Sequence, residues 1–327
     1  MINPFSIQQF LFFLILSFII SCKDSNEVAS EISEVTPQPR STVSLIVLGT
    51  IQDAGSPHIA CKKECCEKLF DQPDPNRKVV SLGLVDHENN KSYVFEATPD
   101  FPTQVKKLKH FSSSENELPN GIFLTHAHIG HYSGLMYLGK EATNAHKIPV
   151  YTMPRMKIFL EDNGPWSQLV VNENIEIKPM NDSIEVSLTS NIRVTPILVP
   201  HRDEYSETVG YIIRGPSKKV LFIPDIDKWS KWKNNISEVI REVDYAFLDA
   251  TFYDGEEINT RDISEIPHPF MIESMQRFNS LPLSEKQKIH FIHFNHTNPV
   301  LDSTSGAYQT TIKSGYNIAG KNRVLEL

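Results

Sequence analysis

Short apolar runs bounded by turn residues recur along this chain, and their β-branched, aromatic and leucine residues predict β-strands. In the amino-terminal half these runs lie at Val43–Thr50, Val79–Val85, Ser92–Glu96, Gly121–Thr125 and Pro149–Thr152. In the carboxy-terminal half they lie at Arg193–Val199, Val209–Arg214, Val220–Ile223, Tyr245–Leu248 and Ile289–Phe294. Helices are predicted at Gln104–Phe111, Gly134–Asn144, Lys228–Glu242, Pro269–Asn279 and Ser303–Lys313.

The predicted strands come in clusters with helices between them. This order differs from the strict strand–helix alternation that builds a doubly wound parallel sheet. It favours an α/β fold in which two mixed β-sheets pack face to face with helices outside, a four-layer αββα sandwich. No linker-like stretch interrupts Val43–Leu327, so one domain is predicted there.

The amino terminus carries an uncharged apolar segment. Phe10–Ile20 is apolar except for Ser17, which is shorter than the roughly 20 residues of a membrane-spanning helix but suits a secretory signal. The following residues, Ile19 to Cys22, resemble the lipobox of bacterial lipoproteins, although Met1–Gln9 lacks the usual Lys or Arg. This resemblance implies a signal peptide over residues 1–21 and a lipid on the Cys22 thiol. An uncleaved anchor is the alternative.

Either interpretation of the amino-terminal segment implies that the folded part of the chain lies outside the cytoplasm. Residues 22–42 are rich in Ser, Glu, Thr and Pro and predict a disordered linker between the lipid and the domain. The protein is therefore expected on a bacterial membrane, facing the periplasm or the cell surface. The formal net charge of −8 argues against binding nucleic acid by bulk charge. The expected partners are a small-molecule substrate and, through the lipid, a membrane.

Three histidines follow the strand predicted at Gly121–Thr125. His126 and His128 are two residues apart and point to the same side of an extended chain, and His131 follows where the backbone turns toward a helix. Neutral imidazole is the commonest metal ligand, and three of them at a strand end suit a catalytic zinc site with an open position. Histidines without a metal are the alternative.

Further candidate ligands close other apolar strands. His201, Asp225 and His293 each end one of these runs. Single residues of this kind are usually turn or capping residues, but three of them downstream of a histidine triplet, each after an apolar strand, are harder to dismiss as such. His268 lies between two prolines, where it is either an exposed loop residue or a group that contacts substrate.

These residues, in this order, resemble the metallo-β-lactamase superfamily from Val43 to Leu327. Its motif is His-x-His-x-Asp-His, then a His, a bridging Asp and a late His. The matching positions here are His126, His128, Gly130, His131, His201, Asp225 and His293. Gln52–Pro57 with Cys61, Leu248–Phe252 and His293–Pro299 further resemble the branch that contains coenzyme PQQ synthesis protein B and related cyclic phosphodiesterases.

The chain departs from the motif at one position. Gly130 stands where the family has an Asp that binds the second metal, so that site would rest on His131, Asp225 and His293. One zinc ion, or one tight and one weak, is expected rather than two equal ions. The first two histidines, which the PQQ branch often lacks, are present and favour a metal-dependent hydrolase.

The resemblance implies a mechanism. Zinc held by His126, His128 and His201 would lower the pKa of a bound water from about 15.7 toward about 7. Asp225 would bridge to a second ion or orient the nucleophile, and His268 would act as an acid or anion contact. A phosphodiester is the expected substrate class. The alternative function is a metal-binding accessory protein in the supply of PQQ or another redox cofactor, without hydrolysis.

Cys61, Cys65 and Cys66 remain after Cys22, and an odd count outside the cytoplasm needs an explanation. One possibility is a Cys61–Cys65 disulfide with a free Cys66. The other is a closed structural zinc site of three cysteines and one histidine. Related phosphodiesterases complete such a site with a His three residues after the late catalytic His, and His296 stands three after His293.

Overall fold

The computed structural model describes residues 42–258 and 266–327. The predicted signal peptide, Cys22 and all of the predicted linker except Thr42 lie outside the described residues. Within the described ranges, no helix has both the length and the apolar character needed to cross a membrane.

Two seven-stranded sheets form the centre of the fold. The strands of the first sheet are β1 (Val43–Gly49), β2 (Ser81–Asp86), β3 (Lys91–Phe95), β4 (Gly121–Phe123), β5 (Ile148–Thr152), β6 (Ile175–Pro179) and β14 (Val324–Glu326). Their order is β14–β1–β2–β3–β4–β5–β6. The sheet is mixed, because β14 to β3 pair antiparallel whereas β3 to β6 pair parallel.

The second sheet is built in the same way. Its strands are β7 (Val186–Ser187), β8 (Arg193–Leu198), β9 (Val209–Arg214), β10 (Lys219–Ile223), β11 (Tyr245–Asp249), β12 (Ile289–Ile292) and β13 (Asn317–Ile318). Their order is β13–β12–β11–β10–β9–β8–β7. β10 to β13 are parallel, and β7 to β10 are antiparallel.

Helices cover the outer faces of both sheets. They are α1 (Glu64–Asp71), α2 (Phe101–Lys109), α3 (Ile129–Tyr132), α4 (Pro154–Asp162), α5 (Trp166–Val171), α6 (Ile236–Arg241), α7 (Met271–Arg277), α8 (Leu283–Lys286) and α9 (Gly306–Lys313). Val105 and Leu108 of α2 pack on Ile46 of the first sheet, and Ile240 of α6 packs in the cluster that holds Leu221 of the second. The four layers confirm the predicted αββα fold class.

The alternation of side chains along each strand separates the inner core from the outer layers. In β1, Leu45 and Val47 belong to the core between the sheets, whereas Ile46 and Leu48 pack toward the helices. Successive strand residues point to opposite faces, so a strand covered on both sides is apolar at nearly every position. This explains the continuous apolar run of β1.

Aromatic rings fill the core beneath the predicted metal site. Phe123 stacks on Phe95 with ring centroids 4.8 Å apart and on Tyr151 at 4.3 Å. Tyr211 of the second sheet meets Phe123 edge-on at 5.6 Å. The Tyr211 hydroxyl donates a hydrogen bond to the carbonyl of Leu124, one residue past β4. This contact ties the chain that leads to His126 to the opposite sheet.

Two predicted helices are wrong in extent. The range Gly134–Asn144 holds no α-helix, only a 3₁₀ helix over Ser133–Leu138. A Cβ at Gly134 would lie 2.3 Å from the carbonyl oxygen of Thr98, and the Gly134 amide donates to Ala97. The backbone here packs against the loop after β3, and this contact replaces helical hydrogen bonding.

Lys228–Glu242 is likewise divided, into a 3₁₀ turn at Trp229–Lys231 and α6. The indole of Trp229 donates to Ser274, and that of Trp232 donates to the carbonyl of Leu198, so the two rings serve different neighbours. The Asn235 side chain accepts from the Ser237 amide and caps a new helix there.

Candidate metal centre

Residues from parallel strands of the second sheet meet at one edge. Asp225 follows β10, Asp249 ends β11 and His293 follows β12. These three strands are parallel neighbours, so their carboxyl ends lie side by side. His201 comes to the same place from the end of β8.

The first sheet brings the histidine triplet to this edge. The Val209 amide of β9 donates to the carbonyl of Thr125 at 3.1 Å, so the residue before His126 is held by the second sheet. His128 then precedes α3, which carries His131. The turn into α3 directs the third imidazole into the same cavity as the first.

Asp225 is the central residue of the cluster, and its side chain is only 3% exposed. Five imidazoles surround its two oxygens. Oδ2 lies 3.0 Å from His131 Nε2, 3.3 Å from His293 Nε2 and 3.6 Å from His126 Nε2, whereas Oδ1 lies 3.3 Å from His268 Nδ1 and 3.7 Å from His201 Nε2. This carboxylate is therefore placed to be shared between two neighbouring cation positions.

The side chains form three overlapping groups whose potential ligand atoms lie within 4.8 Å of one another. The groups are His126, His128, His201 and Asp225; then Asp225, Asp249, His268 and His293; and finally Asp53, His131 and His293. Imidazole and carboxylate donors in this mixture suit zinc or a similar divalent ion.

Buried donor atoms support a cation at this centre. Among the described residues, hydrogen-bond partners are lacking for both ring nitrogens of His131 and of His201, for His293 Nε2 and for Asp225 Oδ1. A buried polar atom without a partner costs about 1–3 kcal/mol, so several together indicate that another species satisfies them. A divalent metal fits this donor set.

Burial holds most of the cluster in the ligating protonation state. Desolvation lowers the pKa of His126, His128 and His293 below the ordinary value, and it lowers the pKa of His201 to about 4. Burial alone would raise the pKa of Asp225, but the surrounding imidazoles lower it well below its usual range. Neutral imidazole and ionised carboxylate are the forms that bind metals.

His131 is oriented by a buried carboxylate. Glu96 Oε2 lies 3.4 Å from His131 Nδ1, and both side chains are fully buried. Burial opposes protonation of His131, but Glu96 and Asp225 outweigh it and raise the pKa of this imidazole. A carboxylate behind a ligating His fixes its ring and increases its basicity.

His268 lies in the centre rather than in an exposed loop. Its Nδ1 is 2.8 Å from Asp249 Oδ2, and its side chain is 12% exposed. Burial would lower its pKa, but the carboxylates of Asp249 and Asp225 raise it. Thr251 completes the arrangement, since its hydroxyl contacts Asp249 and also His293 Nδ1.

Three carboxylates of the centre were missed by sequence reasoning. Glu96 and Asp249 were detectable, because each stands at the end of an apolar strand as Asp225 does. Asp53 lies in the loop after β1, inside a segment noted only for family resemblance, and no strand pattern marked it.

The substitution of Gly130 for the motif Asp has a steric correlate. A Cβ at Gly130 would lie 2.2 Å from the Cβ of Asp53 and 2.8 Å from both the Cα and the carbonyl oxygen of Asp53. The loop after β1 thus occupies the space that a side chain at residue 130 would need.

A second cluster lies on α1 and the loops beside it. Cys61, Cys65, Cys66 and His296 have ligand atoms within 4.8 Å of one another, and the three thiols are free. Burial and the neighbouring sulfurs raise the pKa of Cys65 to about 12. No disulfide joins Cys61 to Cys65, and the arrangement fits the Cys₃His alternative. A divalent cation there would offset the repulsion between the thiolates that bind it.

The family model described as the beta-lactamase superfamily domain matches residues 91–294. Coenzyme PQQ synthesis protein B of Methylococcus capsulatus is 23% identical over 301 residues, which cover 84% of this chain and 96% of that protein. The protein of the same name from Methylorubrum extorquens is 20% identical and covers 86% of this chain and 99% of the relative.

Solved structures share the fold. Zinc-bound PqqB from Methylobacterium extorquens superposes with a TM-score of 0.72 at 19% identity and covers 87% of this chain and all of that one. A diphosphatase from the PhnP family superposes with a TM-score of 0.62 at 21% identity, over 87% of this chain and 97% of its own.

We expect Gly130→Ala to destabilise the protein by about 1–3 kcal/mol, because its Cβ would overlap Asp53. Chemical denaturation of the full chain measures this. Gly306→Ala is the control, since the structure describes no atom within 4 Å of a Cβ at Gly306. Equal stability of the two variants would contradict this expectation and show that the loop after β1 moves away from residue 130 at no cost in stability.

Proposed function

The chain belongs to the beta-lactamase superfamily, and on this premise we propose that it is a zinc-dependent hydrolase acting on a phosphodiester. The observation that carries the proposal is Asp225, a buried carboxylate shared between two groups of imidazoles. Such sharing is what two metal positions at one reaction site require.

The residues divide into holding and proton-transferring groups. His126, His128, His201 and Asp225 would hold one ion, and His131 and His293 would face a second beside Asp225. When bound, zinc makes water a nucleophile at neutral pH and stabilises charge on a phosphoryl oxygen.

His268 is placed to handle the leaving group. Its Nδ1 proton is directed to Asp249, which leaves Nε2 as the nitrogen that exchanges a proton with substrate. The adjacent carboxylates favour the protonated ring, which is the form a general acid needs. Asp249 is in turn held by the Thr251 hydroxyl and amide, so the dyad is fixed before substrate arrives.

The phosphodiester assignment draws on two supports. The motifs at Gln52–Pro57 and His293–Pro299 resemble cyclic phosphodiesterases, and a fold neighbour is described as a diphosphatase. No serine nucleophile elbow or phosphate-binding glycine loop is present in the sequence to suggest another hydrolytic chemistry.

A second candidate is an accessory function in the supply of PQQ or another redox cofactor. The relatives named coenzyme PQQ synthesis protein B, at 20–23% identity over most of the chain, favour it. In that case the pocket would bind its ligand without hydrolysing it.

We expect His128→Ala to lose both zinc at the centre and hydrolytic activity, because one imidazole of the first group disappears. Metal analysis and a screen over cyclic nucleotides, phosphodiesters, lactones and β-lactams measure both. His146→Ala, which removes an exposed histidine, should leave both unchanged. Zinc retained without turnover of any substrate by the wild type would favour the accessory function.

We expect His268→Gln to keep its zinc and lose activity by about 10²–10⁴-fold toward esters with poor leaving groups. The loss should be smaller for a nitrophenyl ester, whose leaving group needs no proton. Wild-type activity toward an ester with a poor leaving group, such as an alkyl phosphodiester, should fall as the pH rises through the raised pKa of His268. The variant should show no such fall. Loss of zinc from His268→Gln would instead show that His268 is a metal ligand.

We also propose that the mature chain begins at Cys22 and carries a lipid there, which anchors the domain outside the cytoplasm. The apolar run and the small residue before Cys22 support this. Cys22→Ser should abolish incorporation of labelled palmitate and leave the signal uncleaved, whereas Cys61→Ser should incorporate label normally. Labelling of Cys22→Ser would refute the anchor.

A further inference from the structure

The second cation position lacks one of the motif's two carboxylates because residue 130 is a glycine. We propose that Asp53, on the loop after β1, supplies this carboxylate from a different part of the chain. The inference deepens the proposed function and rests on it for the presence of a divalent metal. It replaces the expectation of a site that depends on His131, Asp225 and His293 alone.

The first support is that Asp53 lies directly beside Gly130. The Cβ of Asp53 lies 2.2 Å from where a Cβ at Gly130 would stand, so the two side chains would start from nearly the same point. The Asp53 side chain thus occupies space that a side chain at residue 130 would need. Gly130 is the residue that permits this approach, since any side chain there would collide with Asp53.

The second support is the set of atoms that Asp53 faces. A carboxylate oxygen of Asp53 lies within 4.8 Å of a ring nitrogen of His131 and of one of His293. Both imidazoles are buried, and in the described part of the chain His131 Nε2 and His293 Nε2 have no hydrogen-bond partner. Each of these nitrogens faces Asp225 Oδ2 without a hydrogen bond, and a cation between them, Asp225 and Asp53 would be bound by all four side chains.

The third support is the way the loop is held. The Gln52 amide donates to the carbonyl of Phe294 at 2.9 Å, and the Phe294 amide donates to the carbonyl of Thr50 at 2.9 Å. Asp53 and His293 are thus attached to one hydrogen-bonded frame, each next to a residue of that frame. The Gln52 side chain also donates to Asp53 Oδ1, which limits the orientation of the carboxylate.

The arrangement conserves the donor set while changing its source. Asp53, His131, His293 and Asp225 offer two imidazoles and two carboxylates to the second position. This is one carboxylate more than the motif positions alone provide. We therefore expect the wild type to bind a second zinc ion at the centre.

Asp53→Asn tests the inference, because the amide keeps the shape of the side chain and removes its charge. The full-length protein is dialysed against zinc buffers over a range of free concentrations, and bound zinc is measured by elemental analysis. We expect the wild type to bind two zinc ions at the centre, besides any at Cys61, Cys65, Cys66 and His296. Asp53→Asn should bind the second at least tenfold more weakly, with unchanged apo-protein stability.

Glu207→Gln is the matched control. Its carboxylate accepts hydrogen bonds from the Arg155 amide and belongs to none of the groups of possible metal ligands. If loss of any negative charge on the protein weakened zinc binding, both variants would show it; we expect Glu207→Gln to retain both ions.

The outcomes separate the two proposals. Two ions of unchanged affinity in Asp53→Asn, or a single ion at the centre of both proteins, would overturn the role of Asp53 and leave the proposed function standing. Absence of zinc from the histidines of the wild type would overturn both.

Discussion

The structure of the site depends on one buried carboxylate, Asp225. A buried ionised group needs opposite charge or hydrogen bonds in place of water. Five imidazoles from separate segments of the chain lie within 3.7 Å of the two Asp225 oxygens. Most of those imidazoles are themselves kept neutral by burial. These three neutral rings add no positive charge beside Asp225, and a divalent cation bound by them and by the carboxylate would supply it.

The αββα architecture brings these groups together because each lies just beyond or at the end of a strand. The second sheet aligns Asp225, Asp249 and His293 through its parallel strands, and the first sheet supplies the triplet after β4. Tyr211 joins the two sheets directly beneath the triplet. The rigid core between the sheets thus sets the distances within the metal centre, while loops determine which side chains occupy it.

The ligand pattern was recognisable in the sequence, and the carboxylates around it were only partly so. His126, His128 and His131 are close in the chain, so their spacing alone indicates a common direction. Glu96 and Asp249 end apolar strands as Asp225 does, but only the packing of the two sheets shows that both lie beside the metal centre. Two predicted helices are longer than those in the structure. Gly134 packs against the loop after β3 and Trp229 donates to Ser274, and such contacts between distant residues leave no trace in local periodicity.

The sequence by itself determined most strands of the two sheets, the histidines and Asp225 as residues able to bind a metal, and the absence of a side chain at residue 130. These follow from side-chain chemistry and local periodicity, which are properties of neighbouring residues. Only the tertiary structure decided that Asp53 occupies the space beside Gly130, that His268 pairs with Asp249, and that His296 joins the three cysteines. Such proximities depend on how two sheets pack, because packing brings residues far apart in the chain within bonding distance.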